Sequence, residues 1–143
     1  MRFLYPLAKR FIAGHDIKSM LTNIAYYDLV TINYVGESST APCMTKANLK
    51  EYLNLIKQLK KLPHRQYELS IKLSQFGNTP VKWKGPMRDI TRAIEDVSFI
   101  KIKFDMEYES MIADTLKFSR CFDDIGIVLQ ANMERTSDDL KDV

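Results

Sequence analysis

Four short runs of β-branched and apolar residues, LVTINYV (29–35), YELSIKLS (67–74), FIKIKFD (99–105) and DIGIVLQ (124–130), are each separated from the next by a helix-length segment. Strands joined through helices do not fold back as hairpins, so this order predicts an α/β chain: a parallel sheet with right-handed crossovers. Four such units are half of an eight-stranded β/α barrel, a fold that typically takes about 250 residues; this chain has 143. The glycines, at 14, 36, 77, 85 and 126, stand alone. No glycine-rich phosphate loop follows a strand, and a Rossmann or P-loop arrangement has little support.

The segments between the strands read as helices. Over 15–28, Ile17, Met20, Leu21, Ile24 and Ala25 recur at helical spacing, with Asp16 available as a cap. In KANLKEYLNLIKQLKKL (46–62), Leu49, Tyr52, Leu53, Ile56 and Leu59 share one face and Pro63 lies just beyond. A third helix is expected over roughly 86–96, beginning near Pro86, which suits a first turn. A fourth spans 106–122 with Met111, Ile112, Thr115 and Leu116 inward. After the last strand, Thr136 or Ser137 followed by Asp138 and Asp139 reads as a helix start, with acids in the first turn.

Successive side chains in a strand point to opposite faces. Ile32, Leu69, Ile71, Ile100, Ile102, Phe104, Ile125 and Ile127 therefore fall on one face of the expected sheet, and Thr31, Asn33, Glu68, Ser70, Lys72, Lys101, Lys103 and Asp105 on the other. Strands covered on both sides are apolar throughout; these are not. If the apolar set faces the helices, then Asn33, Lys72, Asp105 and Gln130 gather at the C-terminal strand ends, where β/α barrels place their chemistry. Periodicity alone is equally compatible with a polar face that is simply wet.

Composition excludes several classes. The 21 Lys and Arg are spread against 18 Asp and Glu, giving a net charge of +3, so no nucleic-acid or membrane footprint stands out. Lys57, Lys60, Lys61 and Arg65 read as a solvated helix face. Cys43 and Cys121 have no metal-ligand spacing and read as free thiols in a reducing compartment. His15 and His64 lack partner spacing, the seven methionines read as core filler, and Trp83 as a packing anchor in the loop before the helix expected over 86–96. The N-terminal stretch MRFLYPLAKRFIAG has no apolar run long enough for a signal or a membrane span. A cytoplasmic protein of one domain, residues 1–143, is expected.

Five short motifs in order, KRFIAG (9–14), TINYVGES (31–38), SIKLSQFG (70–77), FDMEYES (104–110) and GIVLQANMERT (126–136), resemble the N-terminal half of the proline dehydrogenase barrel. The resemblance covers residues 8–143. It implies FAD bound noncovalently, oxidation of L-proline to 1-pyrroline-5-carboxylate by hydride transfer to the flavin, and a quinone as later electron acceptor. By position, it implies that Lys72 lies beside substrate and flavin, that Asp105 is the acid paired with it, and that Gln130 contacts the flavin. Arg135 matches a motif arginine, taken as cofactor-binding. Two departures stand out. Asn33 replaces a common Asp, removing a negative charge from the polar centre, and Asn132 replaces a Tyr, removing an aromatic wall near the cofactor.

The arginines that bind substrate carboxylate in that family belong to later strands, for which this sequence has no counterpart. It therefore reads as a truncated domain that needs a complementary half or a second copy, with its own activity open. Contact with the inner face of a membrane is also open, because quinone-linked members work there. Two other readings stay beside this one: a non-enzymatic half-barrel that serves as an assembly subunit or relic, and a small parallel α/β binding domain.

Overall fold

The computed structural model of the chain describes residues 16–33, 41–62, 65–105 and 111–128. Helix α1 (Ile17–Ile24) begins at Asp16, whose side chain accepts the Ser19 backbone N–H at 2.7 Å while the Ser19 hydroxyl accepts the Asp16 N–H, a reciprocal capping box. The backbone hydrogen bond, then the Ser19 hydroxyl, holds the Asp16 carboxyl below its usual range. Strand β1 (Leu29–Asn33) follows.

Helix α2 (Pro42–Leu59) starts ahead of its apolar stripe, with Pro42 in the first turn where a missing N–H costs nothing. Tyr52, Ile56 and Leu59 are buried as the spacing predicts. Leu55 joins them, while Leu49 and Leu53 are only half-buried.

Strand β2 (Gln66–Ile71) is shorter than the sequence suggests, because residues 73–76 tighten into a 3₁₀ turn. The turn is anchored from α2: Asn48 donates to the Gln75 carbonyl at 3.0 Å and the Tyr52 hydroxyl to Gln75 Oε1 at 2.8 Å. It ends at Gly77, whose φ of 120° is closed to side chains. Helix α3 (Pro80–Ile94) corrects the expected start at Pro86: Pro80 takes the first turn and Pro86 lies inside the helix. The extra turn carries Trp83, fully buried, whose indole N–H donates to the Gly77 carbonyl at 2.6 Å. Burying that ring and satisfying its N–H offsets the hydrogen bond lost at Pro86. Trp83 is thus a packing anchor, on a helix rather than in a loop.

Strand β3 (Ile100–Asp105), helix α4 (Ile112–Ser119) and strand β4 (Ile125–Val128) complete the described elements. The residues expected to start a further helix, 136–139, lie outside them. All strand pairs are parallel and the order is β1-β2-β3-β4. In register, Ile32 lies beside Leu69, Leu69 beside Ile102, and Ile102 beside Ile125. These residues pack in one core with Met20 and Ile24 of α1, Tyr52 and Ile56 of α2, Trp83 and Met87 of α3 and Phe118 of α4, against which Ile125 packs. Trp83, Phe104, Phe118 and Phe122 meet there at ring-centroid distances of 5.2–6.2 Å. Doubly wound sheets reverse strand order and carry helices on both faces. Here the order never reverses and the helices share one face, the winding of about half a β/α barrel, not closed.

Candidate functional site at the C-terminal strand ends

The register fixes the other face row by row. Thr31, Glu68 and Lys101 lie side by side, then Asn33, Ser70, Lys103 and Gly126, and Asp105 lies beside Val128. Lys72 is the first residue past β2, following the Ile71–Phe104 pair with extended dihedrals (φ −87°, ψ 109°) that continue the alternation, while Asp105 follows Phe104 as the last residue of β3. The sheet thus brings Asn33, Ser70, Lys72, Lys103 and Asp105 to the C-terminal half of one face.

Burial on this face is graded. Asn33 and Thr31 on the outer strand are exposed, Lys72 and Glu68 are half-buried, and Ser70 and Asp105 are buried. Glu68 is its electrostatic centre. One of its oxygens, Oε2, lies 2.7 Å from Lys103 Nζ and accepts the Thr31 hydroxyl at 2.8 Å. Lys103 first, then Thr31, holds the Glu68 carboxyl below its usual range against a smaller opposing effect of burial. Lys101 pairs with Asp124, the residue just before β4. Gly126 makes room for the Lys103 stem: a Cβ there would sit 3.0 Å from Lys103 Cγ.

Asp105 ends β3 and Lys72 lies just past the end of β2, but the ion pairs between described residues include Glu68–Lys103 on this face and none between Lys72 and Asp105. Gln130, Arg135 and Asn132 lie outside the described residues, as do His15 and His64. The Glu68–Lys103 pair escaped sequence reasoning, although the alternation put both residues on the polar face. The basic run expected on one helix face is dispersed: of its residues only Lys57 lies within α2, Lys60 at the C-cap pairs with Asp96, and Arg65, beyond the helix, donates to the Tyr27 carbonyl at 2.9 Å. Both cysteines are free and exposed.

A cleft of about 640 Å³ lies at the opposite end, between α3 and the starts of β3 and β4, lined by Arg88, Arg92, Lys101 and Asp124 among others. Its charges are of both signs and it adjoins none of the C-terminal strand ends. Among the described residues, no helix is long and apolar enough to cross a membrane. Compared with protein-family models and with curated proteins, the chain matches none.

Proposed function

We propose that the chain is a proline dehydrogenase-like oxidoreductase that binds FAD and takes L-proline to 1-pyrroline-5-carboxylate, with a quinone as the later electron acceptor. One observation carries this reading. Of the two motif residues, Asp105 ends β3 and Lys72 is the first residue past the adjacent parallel strand β2, at the C-terminal edge of a sheet backed by helices, the position in which barrels of this kind hold reactive groups.

The donor set fits a flavin: the Lys72 ammonium, the Ser70 hydroxyl and the Asn33 amide are hydrogen-bond donors suited to its electron-rich carbonyl and nitrogen edge. FAD, when bound, supplies the hydride acceptor. The chain's own groups would do the rest. Lys72 holds an anionic group by a charge-assisted hydrogen bond. Asp105, largely shielded from water, balances that cation. The Glu68–Lys103 pair fixes the floor beneath them. Gln130 and Arg135 belong to this reading as further cofactor contacts.

A second reading, a non-enzymatic half-barrel acting as an assembly subunit, is favoured by the absence of any charged residue on β1 and β4. Incubation with FAD followed by desalting separates the two. Retained flavin with a perturbed visible spectrum supports the oxidoreductase; protein that stays colourless supports the assembly subunit.

A further inference from the structure

The charges of this sheet are distributed against the usual rule. Edge strands in water-exposed sheets are guarded by Lys, Pro, bulges or charged side chains, because their unpaired backbone invites pairing. Among the described residues, the outer strands, LVTIN and IGIV, carry no charge and no proline, while the inner strands carry Glu68, Lys101, Lys103 and Asp105. Apart from Ile32, which is buried, the apolar residues of the outer strands are also left short of burial: Val30, Ile125 and Ile127 are half-buried, whereas Leu69, Ile71 and Phe104 of the inner strands are fully buried. Leu29 is 58% exposed. Both outer strands have the composition of strands with neighbours on both sides.

The backbone of β1 is poised accordingly. Gln66 N–H donates to the Asp28 carbonyl, so the alternate residues Leu29, Thr31 and Asn33 turn their N–H and C=O groups away from β2.

We propose that a second copy of this chain completes the sheet, β4 of each copy pairing in parallel with β1 of the other to close an eight-stranded β/α barrel. The described residues form four parallel strands in unbroken order with helices on one face, half the strand complement of that barrel. A rotation that carries β1 of one copy to the position after β4 of the other returns to its start when applied twice, so a two-fold axis along the barrel closes both seams at once. Closure turns the polar face into the interior, and two charge pairs on it, Glu68–Lys103 and Lys101–Asp124, are already formed in the single chain. This inference does not depend on flavin chemistry.

The test uses the 143-residue chain itself. Light scattering after size exclusion is expected to give twice the 16.6 kDa chain mass. Backbone amides of Leu29, Thr31 and Asn33 are expected to exchange with solvent at least a hundredfold more slowly than in an unstructured peptide. Leu29→Lys, which changes an exposed side chain and leaves the β1–β2 ladder intact, is expected to weaken the dimer at least tenfold while preserving far-ultraviolet circular dichroism. Leu29→Pro, which removes an outward N–H at the first strand position, should do the same. A folded monomer at micromolar concentration would overturn the proposal. So would a dimer whose β1 amides exchange freely, or an open-ended polymer, since pairing without closure means the halves do not complete a barrel.

Discussion

Lys103 reaches diagonally across the sheet to Glu68, 2.7 Å away, although the residue directly opposite Glu68 is Lys101. Lys101 is taken by Asp124, the residue just before β4. Each cation thereby has one acid, and the diagonal reach carries the Lys103 ammonium back toward β1, where Thr31 also donates to Glu68. Cross-strand diagonals of this kind lie within reach of long side chains.

Lys103→Met removes the cation while keeping the stem. Glu68 and Lys103 are partly shielded, with side-chain exposures of 21% and 33%, so the loss is expected at the upper end of surface pairs, about 1 kcal/mol by denaturant titration. The pH dependence follows from the Glu68 shift. A carboxyl whose pKa is lowered by folding binds fewer protons in the native than in the unfolded state, so its stabilisation is fully present above the ordinary value of 4.5. It is lost as pH falls from there through the depressed folded value. The variant should show a smaller loss of stability over that acid range than the parent.

Gly126→Ala should change sign with its neighbour. In the parent, the added methyl meets a Lys103 stem tethered by Glu68, and the variant should be less stable. In a Lys103→Ala background the obstruction is gone, and the same substitution should stabilise by about 0.5–1 kcal/mol, the ordinary advantage of Ala over Gly in a strand. Chemical denaturation of the four proteins decides it.

Gly77→Ala is expected to cost about 1–3 kcal/mol, since a φ of 120° is closed to a side chain. Lys82 also crowds the site, its Cδ lying 2.5 Å from the position of the new Cβ. Adding Lys82→Ala relieves that contact and leaves the backbone strain, so most of the loss should persist in thermal unfolding.

Tyr52→Phe keeps the ring, which lies 5.9 Å from that of Phe76, and deletes the hydrogen bond to the fully buried Gln75. A loss of about 1–2 kcal/mol is expected. Faster amide exchange in the 3₁₀ turn than elsewhere in the variant would locate the effect.

Much of this arrangement is legible in the sequence, and the exceptions have identifiable causes. The alternation in FIKIKFD fixed which side chains of β3 face the helices, because period two leaves no freedom once one face is apolar. Asp16 as a cap was equally plain. The start of α3 was not, because two prolines six residues apart are both suited to a first turn, and only the burial of Trp83 selects Pro80. The Glu68–Lys103 pair was hidden for another reason: its partners depend on strand register and on Asp124 claiming Lys101, and neither is visible along one strand. The motif SIKLSQFG reads at first as a site signature. Much of it is architectural, with Gln75 buried under α2 and Gly77 accepting from Trp83, leaving Ser70 and Lys72 as its residues on the polar face.

The proposed chemistry at the C-terminal strand ends is tested most directly by anaerobic addition of L-proline to the FAD-loaded protein. Stoichiometric bleaching of the flavin, slowed at least a hundredfold in Lys72→Met protein that still retains FAD, is the expected result. Flavin that stays fully oxidised in the parent protein under saturating L-proline would contradict it.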